Sequence, residues 1–329
     1  MPRLNGKWVE KYWLSTAIVV VVAAAFIIPE GGRFLLDIGL VDVGVVTVML
    51  LSGMKIPFRR FWHLLRHPAA IIVALLSIFV VSPLVAVLIG EVYGFSGAPD
   101  RLAVLILAAE ATTLASCIVL TEVAGGDVAF AVIVSLFANL LSAFLTPLIF
   151  EVFGNAVVEV DPLAMMGELA LKIALPVVAG QLLRLPLETW VAKYAKRMSI
   201  FSQLVILTML FTGISAGLER LSGGALLVAK IVVFAALLHG ALLVINALLA
   251  RLVSRSDKER CAFVLAASQK TLPAAILIWK HQFQALPMGV MIAVSYHLIQ
   301  LVADSILAPG FRKLPLIRDK RGTTVRRDI

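Results

Sequence analysis

The chain has 329 residues, of which 61% are hydrophobic and only 15% are charged, and its mean hydropathy is +1.00. This composition excludes an ordinary soluble domain, in which about 25% of the residues carry charge. The net charge of +9 does not indicate nucleic-acid binding, because the basic residues are spread over the loops between apolar segments.

The apolar residues occur in runs of about 20, the length that a helix needs to cross roughly 30 Å of hydrocarbon. The runs are continuously apolar, as in residues 69–90, and lack the alternation typical of a membrane β-barrel. We therefore expect an all-α integral membrane protein with ten transmembrane helices. They lie at residues 13–29, 35–54, 68–91, 102–121, 128–153, 162–184, 199–218, 223–250, 259–280 and 286–311.

The first apolar run follows Lys7 and Lys11 and so resembles a signal peptide. No small-residue cleavage site precedes Pro29, and we interpret the run as an uncleaved first span. The two cysteines, Cys117 and Cys261, lie in an apolar run and beside basic residues, and we expect no disulfide between them.

Lysine and arginine are distributed unequally over the two sides of the predicted spans. Of the 29 basic residues, 22 lie in the N-terminal segment, in alternate loops or in the C-terminal tail, and four lie in the opposite loops. Cytoplasmic loops carry such an excess. We therefore expect a multi-pass protein of the plasma (inner) membrane with both termini in the cytoplasm, which requires an even number of spans.

The loop near Glu159 divides the chain into residues 1–160 and 161–312, with five spans each, followed by a basic cytoplasmic tail at residues 313–329. Because five is odd, the second half enters the membrane from the opposite side. This arrangement is the five-plus-five inverted repeat found in many secondary transporters. The two halves share no clear sequence similarity, so the symmetry is inferred from topology alone.

The fourth span of each half has polar residues at mid-membrane depth, at residues 110–116 in span 4 and 268–273 in span 9. Pro273 removes one helical hydrogen bond and clashes with the preceding turn. Backbone groups freed in this way must line a protein-walled cavity rather than face lipid. Interruptions at equivalent places in two halves indicate a transport site.

Glu110 and Lys270 are the charged residues of these interruptions. A charge at the bilayer centre costs at least about 2.5–3.5 kcal/mol, so such residues are usually functional or paired. One interpretation is that Glu110 carries a proton and that Lys270 binds an anion or replaces a bound cation. The other is that the two side chains form a pair that only holds two crossing helices together.

The same two segments resemble the fourth-span and ninth-span motifs of the bile acid:sodium symporter superfamily, and most closely those of its SBF-like branch. The first motif, TT-x3-C-x-VLT-x2-AGG, runs from Thr112 to Gly126, and the second, SQKTL, runs from Ser268 to Leu272. The segment from Lys55 to Pro68 is also similar. The resemblance covers nearly the whole chain. It implies ten helices in a panel and a core domain, with helices 4 and 9 unwound where they cross, and organic anions as substrates.

The resemblance also implies a sodium-coupled mechanism in the wider family, and here the sequence departs from the pattern. The family's helix-9 glutamate falls at Leu265, while the glutamine of the same motif falls at Gln269. The helix-4 asparagine falls at Cys117, and a helix-5 hydroxyl ligand persists as Ser135. Loss of the carboxylate makes sodium coupling doubtful, and Lys270 could supply the missing positive charge.

A G-x-S-x-G pattern at residues 213–217 matches a nucleophile elbow, but it lies inside span 7, without the strand–turn–helix context. We interpret its glycines as helix-packing residues. We interpret His239, His297 and Asp304 as hydrogen-bonded interior residues rather than a proton path. No metal-ligand spacing or phosphate-binding motif is present, so no cofactor other than a coupling Na⁺ or H⁺ is expected.

We predict a secondary active transporter, not an enzyme, that carries a small organic anion by alternating access. The alternatives are a non-transporting membrane regulator or scaffold with the same fold and an intramembrane hydrolase centred on Ser215. Membrane lipids are expected partners and nucleic acids are not, while the substrate and the oligomeric state are left open. The substrate- or ion-binding residues are predicted to be Glu110, Thr112, Thr113, Ser116, Ser135, Asn139, Ser268, Gln269, Lys270 and Thr271.

Overall fold

The computed structural model describes residues 6–55, 68–154, 161–220, 224–314 and 317, and every regular element within these ranges is a helix. The predicted basic tail lies almost entirely outside the described residues, as do the boundary between the predicted halves near residue 160 and the basic residues between 56 and 67. The all-helical prediction is confirmed for the described part of the chain.

The first half begins with α1 (Gly6–Ile27), α2 (Pro29–Asp37) and α3 (Leu40–Lys55). Next come α4 (Pro68–Leu76) and α5 (Ser82–Tyr93), joined without a break by a π-helix at Ser77–Val81. They are followed by α6 (Ala98–Ala108), α7 (Leu114–Val123) and α8 (Val128–Gly154). Because Pro29 begins α2, where its missing N–H is not needed, the chain bends there, and the two helices around it meet at 94°.

The second half begins with α9 (Pro162–Leu169), a π-helix at Ala170–Ala174 and α10 (Leu175–Arg220). Then come α11 (Gly224–Val253), α12 (Asp257–Ser268), α13 (Leu272–Gln282) and α14 (Pro287–Leu307), with a final 3₁₀ turn at Ala308–Lys313. The Asp161 side chain caps α9 by accepting hydrogen bonds from the backbone of Leu163 and Ala164.

Among the described residues, six helices are long and apolar enough to cross a membrane, or seven if the bent α1–α2 pair is one span. The chain is therefore a multi-pass membrane protein, while the count of ten spans stays a prediction. Predicted spans 6 and 7 lie in a 57-residue helical stretch that consists of two helices meeting at a kink. The basic segment expected to be their loop is itself helical, and the only non-helical residue inside α10 is Leu187, directly after Pro186.

The interrupted pair α12–α13 lies at the centre of the molecule. Its most apolar stretch is entirely buried inside the protein, whereas only 33% of the corresponding stretch of α11 is buried. Large apolar side chains such as Val92, Val152 and Leu226 are instead exposed on the outer helices. Since lipid is as apolar as these side chains, the outer helices present a lipid-facing surface around a central interrupted helix.

Helices α3 and α10 pack against each other with their backbones in direct contact. A Cβ atom built on Gly53 would lie 2.3 Å from the carbonyl oxygen of Val177, and one built on Gly180 would lie 2.2 Å from that of Leu50. Small residues allow this close approach between membrane helices. The two glycines therefore set the distance between these helices.

Replacing Gly180 by alanine is expected to lower the apparent melting temperature in mild detergent by several degrees, because the new methyl group would overlap the Leu50 carbonyl. Overpacking of this kind costs roughly 1–3 kcal/mol. Gly240→Ala is the matched control, since a Cβ on Gly240 would meet no atom within 4 Å, and alanine favours the helix. Equal melting temperatures for the two variants would contradict the close contact.

Candidate functional site

Both predicted interruptions are present, and the two breaks meet. Helix α6 ends at Ala108 and α7 begins at Leu114, while α12 ends at Ser268 and α13 begins at Leu272. The backbone N–H of Thr271, in the second break, donates a hydrogen bond of 2.9 Å to the carbonyl of Ala111, in the first. Four helix ends therefore converge on one point, which we call the crossover (residues 109–113 and 269–271).

The second break follows from the position of Pro273 near the start of α13. A proline there lacks only an N–H that the first turn does not use, so Pro273 begins a helix rather than kinking one. Thr271 precedes the helix in an extended conformation. The amide of Gln300 on α14 binds the backbone of Lys270 on both sides: Lys270 N donates to Oε1 (2.8 Å) and Nε2 donates to the Lys270 carbonyl (2.9 Å).

The first break contains neither proline nor glycine, and side chains of α8 hold it open. Thr146 Oγ1 donates to the carbonyl of Ala109 (2.7 Å), and Asn139 Nδ2 donates to the carbonyl of Thr112 (2.9 Å). These bonds replace the helical partners that the two carbonyls lack, as the membrane interior demands. Predicted residue Asn139 therefore supports the backbone of the break.

Lys270 is 1% exposed, and its ammonium donates to the carbonyl oxygens of Ile78 (2.9 Å), Ala108 (2.9 Å) and Glu110 (2.8 Å). All three ammonium N–H groups are thereby used. The carbonyls of Ala108 and Glu110 are free because α6 has ended. No ion pair joins the Lys270 and Glu110 side chains in the described part of the chain. Lys270 instead binds the backbone carbonyl of Glu110.

The carbonyl of Ile78 is free for a reason that the sequence contains. In the π-helix the Ser82 N–H binds the carbonyl of Ser77, so Ile78 loses its α-helical partner. The next donor along the chain would be residue 83, which is a proline without an N–H. Sequence reasoning assigned no role in the site to Pro83 and missed this contribution of span 3.

Four further predicted residues supply polar atoms that have no hydrogen-bond partner among the described residues. They are Glu110 Oε1, Thr112 Oγ1, Ser135 Oγ and Asn139 Oδ1, and all four residues are at most 1% exposed. The Cys117 thiol lies beside the side chains of Thr112, Thr121 and Ser135. Oxygen atoms of this kind are the ligands of a hard cation such as Na⁺ or the partners of a buried water.

A chain of side-chain hydrogen bonds runs away from the crossover. Ser116 Oγ lies 3.2 Å from both Thr113 Oγ1 and Gln269 Oε1, and Gln269 Nε2 donates to Asp304 Oδ2 (2.6 Å). Asp304 Oδ1 lies 3.0 Å from Nε2 of His239. Both Asp304 and His239 are buried. This chain brings together predicted residues Thr113, Ser116 and Gln269.

Sequence reasoning did not include Asp304 and His239 in the site, although the structure links them to it through Gln269. A carboxylate in the middle of a membrane span was the available signal. His239 Nδ1 also lies 3.2 Å from the Tyr296 hydroxyl, which donates to the carbonyl of Ser268 (2.6 Å). Predicted residue Ser268 accepts a further hydrogen bond at Oγ from Asn246. Its side chain therefore connects α12 to α11.

A small cavity of about 30 Å³ reaches the crossover from one side, and its lining includes Thr113, Ser116, Gln203 and His297. Two predicted residues therefore face open space. The lining is otherwise apolar, from α1, α7, α10 and α14.

A cluster of charged side chains joins α3, the α9 region and α13. Asp42 binds the ammonium groups of Lys172 and Lys280 and lies 2.8 Å from His281 Nε2, while Glu168 lies 2.8 Å from Lys172 and 3.2 Å from His281. The ligand atoms of Asp42, Glu168 and His281 lie within 4.8 Å of one another, as in a metal site. The two lysines already balance the carboxylates, so this Asp42 cluster is an ion-pair network.

The G-x-S-x-G pattern lies inside α10 and has the packing role inferred for it. A Cβ on Gly217 would lie 2.7 Å from Met291, and one on Gly213 would lie 3.1 Å from Val294. Ser215 Oγ is buried without a hydrogen-bond partner among the described residues, and a Cβ on Gly32 would lie 2.3 Å from it. A nucleophilic serine needs a base within hydrogen-bond reach, so this arrangement does not support the hydrolase alternative.

The chain is similar over most of its length to one uncharacterized protein and to proteins described as cotransporters. It is 26% identical over 305 residues to the uncharacterized protein PA2026 of Pseudomonas aeruginosa, covering 90% of this chain and 91% of the relative. It is 22% identical over 324 residues to sodium/bile acid cotransporter 7-A of Xenopus laevis, covering 94% of each chain. It is 23% identical over 333 residues to sodium/bile acid cotransporter 7 of Danio rerio, covering 96% of this chain and 98% of the relative.

The profile of one family matches residues 12–313, a stretch that contains the crossover and nearly all of the described helices. The fold, the interrupted helices and this match agree, and the chain belongs to the SBF-like CPA transporter family (DUF4137).

Proposed function

We propose that the chain is a secondary active transporter that carries a small organic anion by alternating access. The observation that carries this proposal is the crossover itself. Two helices are interrupted at the centre of a membrane protein, and a buried lysine is bonded to three backbone carbonyls there. Discontinuous helices whose ends converge on one point form the binding sites of many secondary transporters.

The proposed fold is ten spans arranged as a five-plus-five inverted repeat of residues 1–160 and 161–312, with both termini in the cytoplasm. Lys270 follows Glu110 by 160 residues, which is the length of the proposed repeat. Asn139 binds the backbone of the first break, and Gln300, 161 positions later, binds that of the second. One carboxamide thus supports each break from an equivalent position, which favours the repeat. The distribution of basic residues favours the orientation.

The proposed substrate site is the side of the crossover that faces the small cavity, at Thr113 and Ser116. The N-termini of α7 and α13 begin at the two breaks, and the positive ends of helix dipoles favour a bound anion. Gln269 and Thr271 would complete the site from the second break. The anion specificity itself rests on the resemblance to relatives described as bile acid cotransporters.

In the proposed cycle the Asp42 cluster closes one side of the membrane. It joins α3 and the α9 region to α13, which extends directly from the crossover. Opening this side would require its ion pairs to separate. The opposite side, which contains Lys55 and which the charge distribution assigns to the cytoplasm, has a cavity of about 30 Å³ near Thr113, so passage of a substrate there would require the cavity to widen.

Lys270 is proposed to act as a built-in cation. Its ammonium is bonded to three carbonyls, an oxygen environment similar to that of a bound Na⁺ ion. This role fits the absence of the family glutamate at Leu265. Glu110 is proposed to carry a coupling proton, because a charged oxygen buried without a partner is unfavourable.

Proteoliposome uptake tests the transport proposal directly. Purified protein is expected to take up at least one of radiolabelled benzoate, pyruvate and taurocholate, and Lys270→Ala should reduce the rate at least about tenfold, equivalent to roughly 1.4 kcal/mol. Lys230→Ala is the control, because Lys230 contacts the Gly94 carbonyl and the Phe95 ring outside the crossover. Stimulation by an inward proton gradient should be lost in Glu110→Gln.

Uptake that is unchanged in Lys270→Ala would refute the site assignment. An absence of uptake for all three anions, from folded protein and with either sodium or proton gradients, would favour the regulator or scaffold alternative. In a regulator or scaffold, the three hydrogen bonds of the Lys270 ammonium would connect the helices permanently.

Sodium dependence of thermal stability tests the built-in cation. In Lys270→Ala the three carbonyls lose their partner and space opens between them, so Na⁺ is expected to raise the melting temperature more than choline at the same ionic strength. Ligands stabilise the state that they bind. The parent protein should show no such difference. A sodium-specific rise in the parent, or none in the variant, would contradict the assignment.

Hydrogen–deuterium exchange tests the Asp42 cluster as a closing contact. Asp42→Asn is expected to increase exchange in peptides covering α13 and residues 162–174, because Lys172 and Lys280 then face each other without the carboxylate. Glu30→Gln is the control, since the Glu30–Arg33 pair lies within one exposed helix turn, and such pairs contribute at most about 1 kcal/mol. Unchanged exchange in α13 would show that the cluster does not hold this side closed.

A further inference from the structure

A second cavity, larger than the one at Thr113, lies beside the first turns of α7 and α8. It has a volume of about 170 Å³, and its lining includes Lys55 at the end of α3 and Ser199 on α10. The rest of the lining is apolar: Leu114, Ala115, Ile118, Val119, Val128, Ala129, Val132 and Ile133. We call this cavity the Lys55 cleft. None of the residues predicted from the sequence to bind substrate lines it.

Lys55 is the only charged residue in the described lining of the cleft. Its ammonium donates one hydrogen bond, to Ser199 Oγ at 3.3 Å, and forms no ion pair with a described residue. An ammonium has three N–H donors, so two of them have no partner among the described residues. Lys172, Lys270 and Lys280 differ in this respect, since each is bonded to carboxylates or carbonyls. A half-buried cation without an acidic partner is costly, and a bound anion would offset that cost.

The surroundings of the cleft favour anions and connect it to the crossover. Lys193, Lys196 and Arg197 are exposed on the same helix as Ser199, in the two turns before it. Positive charge at the mouth of a cleft raises the local concentration of anions. Ala115 lines both the Lys55 cleft and the cavity that contains Thr113 and Ser116. The two cavities are therefore neighbours along α7.

We propose that the Lys55 cleft is a binding subsite for a small organic anion with an apolar body, in which Lys55 and Ser199 bind the carboxylate or sulfonate group. The apolar walls from α7 and α8 then hold the body of the ligand. Pockets for drug-sized ligands measure about 300–1,000 Å³, so a 170 Å³ cleft suits a smaller molecule. The inference rests on the proposed function for the direction of passage, while binding at the cleft stands independently of transport.

Binding is measured by calorimetry on the full chain in nanodiscs, with benzoate and benzenesulfonate as the anionic probes. Benzyl alcohol and benzylammonium share the ring but lack the negative charge. The parent is expected to bind at least one of the two anions and neither of the uncharged or cationic probes. Lys55→Met should weaken the binding at least about tenfold, and Ser199→Ala by a smaller factor, while Lys230→Met should have no effect, because Lys230 contacts the Gly94 carbonyl and the Phe95 ring away from the cleft.

A chemical rescue separates the charge of Lys55 from a role in folding. Lys55→Cys should lose anion binding, recover it after reaction with 2-aminoethyl methanethiosulfonate, which restores an ammonium, and not recover it with the sulfonatoethyl reagent. Native Cys117 and Cys261 are buried. Replacing both by alanine in the background keeps the modification specific. Recovery on restoring the positive charge cannot come from a general effect on stability.

The inference is overturned if the parent binds neither anion, or if Lys55→Met binds them as tightly as the parent does. Uptake measured in the same preparations distinguishes this failure from failure of the proposed function. Lys55-dependent binding without uptake would leave the subsite standing and refute transport. Uptake together with binding that is independent of Lys55 would support transport and refute the subsite.

Discussion

The structure depends on the hydrogen bonds that replace water at the buried backbone groups of two interrupted helices. Ending a helix inside a membrane leaves carbonyl and amide groups without partners, and each one buried in this state costs several kcal/mol. Here the ammonium of Lys270 binds carbonyls from three separate segments: the π-helix at Ile78, the end of α6 at Ala108 and the first break at Glu110. One side chain thus makes both the interruptions and the central position of α12–α13 possible.

The remaining free groups are bound by side chains from the helices that surround the crossover. Thr146 and Asn139 bind the first break, and Gln300 binds the second. The two carboxamides do equivalent work 161 positions apart, which is close to the length of the proposed repeat.

The two sides of the crossover differ in a way that matters for transport. On one side the Asp42 cluster joins three segments with ion pairs in which every charge has a partner. On the other side two cavities with mostly apolar linings lie along α7, and Lys55 has no acidic partner among the described residues. Ion pairs can separate into water with little net change in free energy, whereas a buried backbone network cannot. The cluster is therefore better suited than the crossover to open and close during a cycle.

Much of the architecture could be predicted because it depends on residue type and spacing. Long apolar runs predict membrane helices, and polar residues with Pro273 at mid-span depth predict the second break. The sequence predicted less about features that depend on contacts between residues far apart in the chain. Predicted spans 6 and 7 are two helices that meet at a kink at Leu187, directly after Pro186, and the basic segment expected to be their loop is itself helical. Asp304 and His239 were assigned to the scaffold, since nothing local shows that Gln269 would bind the carboxylate.

The sequence by itself determined that this chain is a membrane protein, that two of its helices are interrupted, and which polar residues lie at the interruptions. These follow from the cost of exposing backbone and charge to lipid, which depends on composition along the chain. Only the tertiary structure decided what those residues do. Lys270 binds three carbonyls instead of the Glu110 carboxylate, Ser268 binds Asn246 of α11, and Lys55 faces a cleft. The reason is geometric: a hydrogen bond requires partners within about 3 Å, and only packing brings residues so far apart in the chain to that distance.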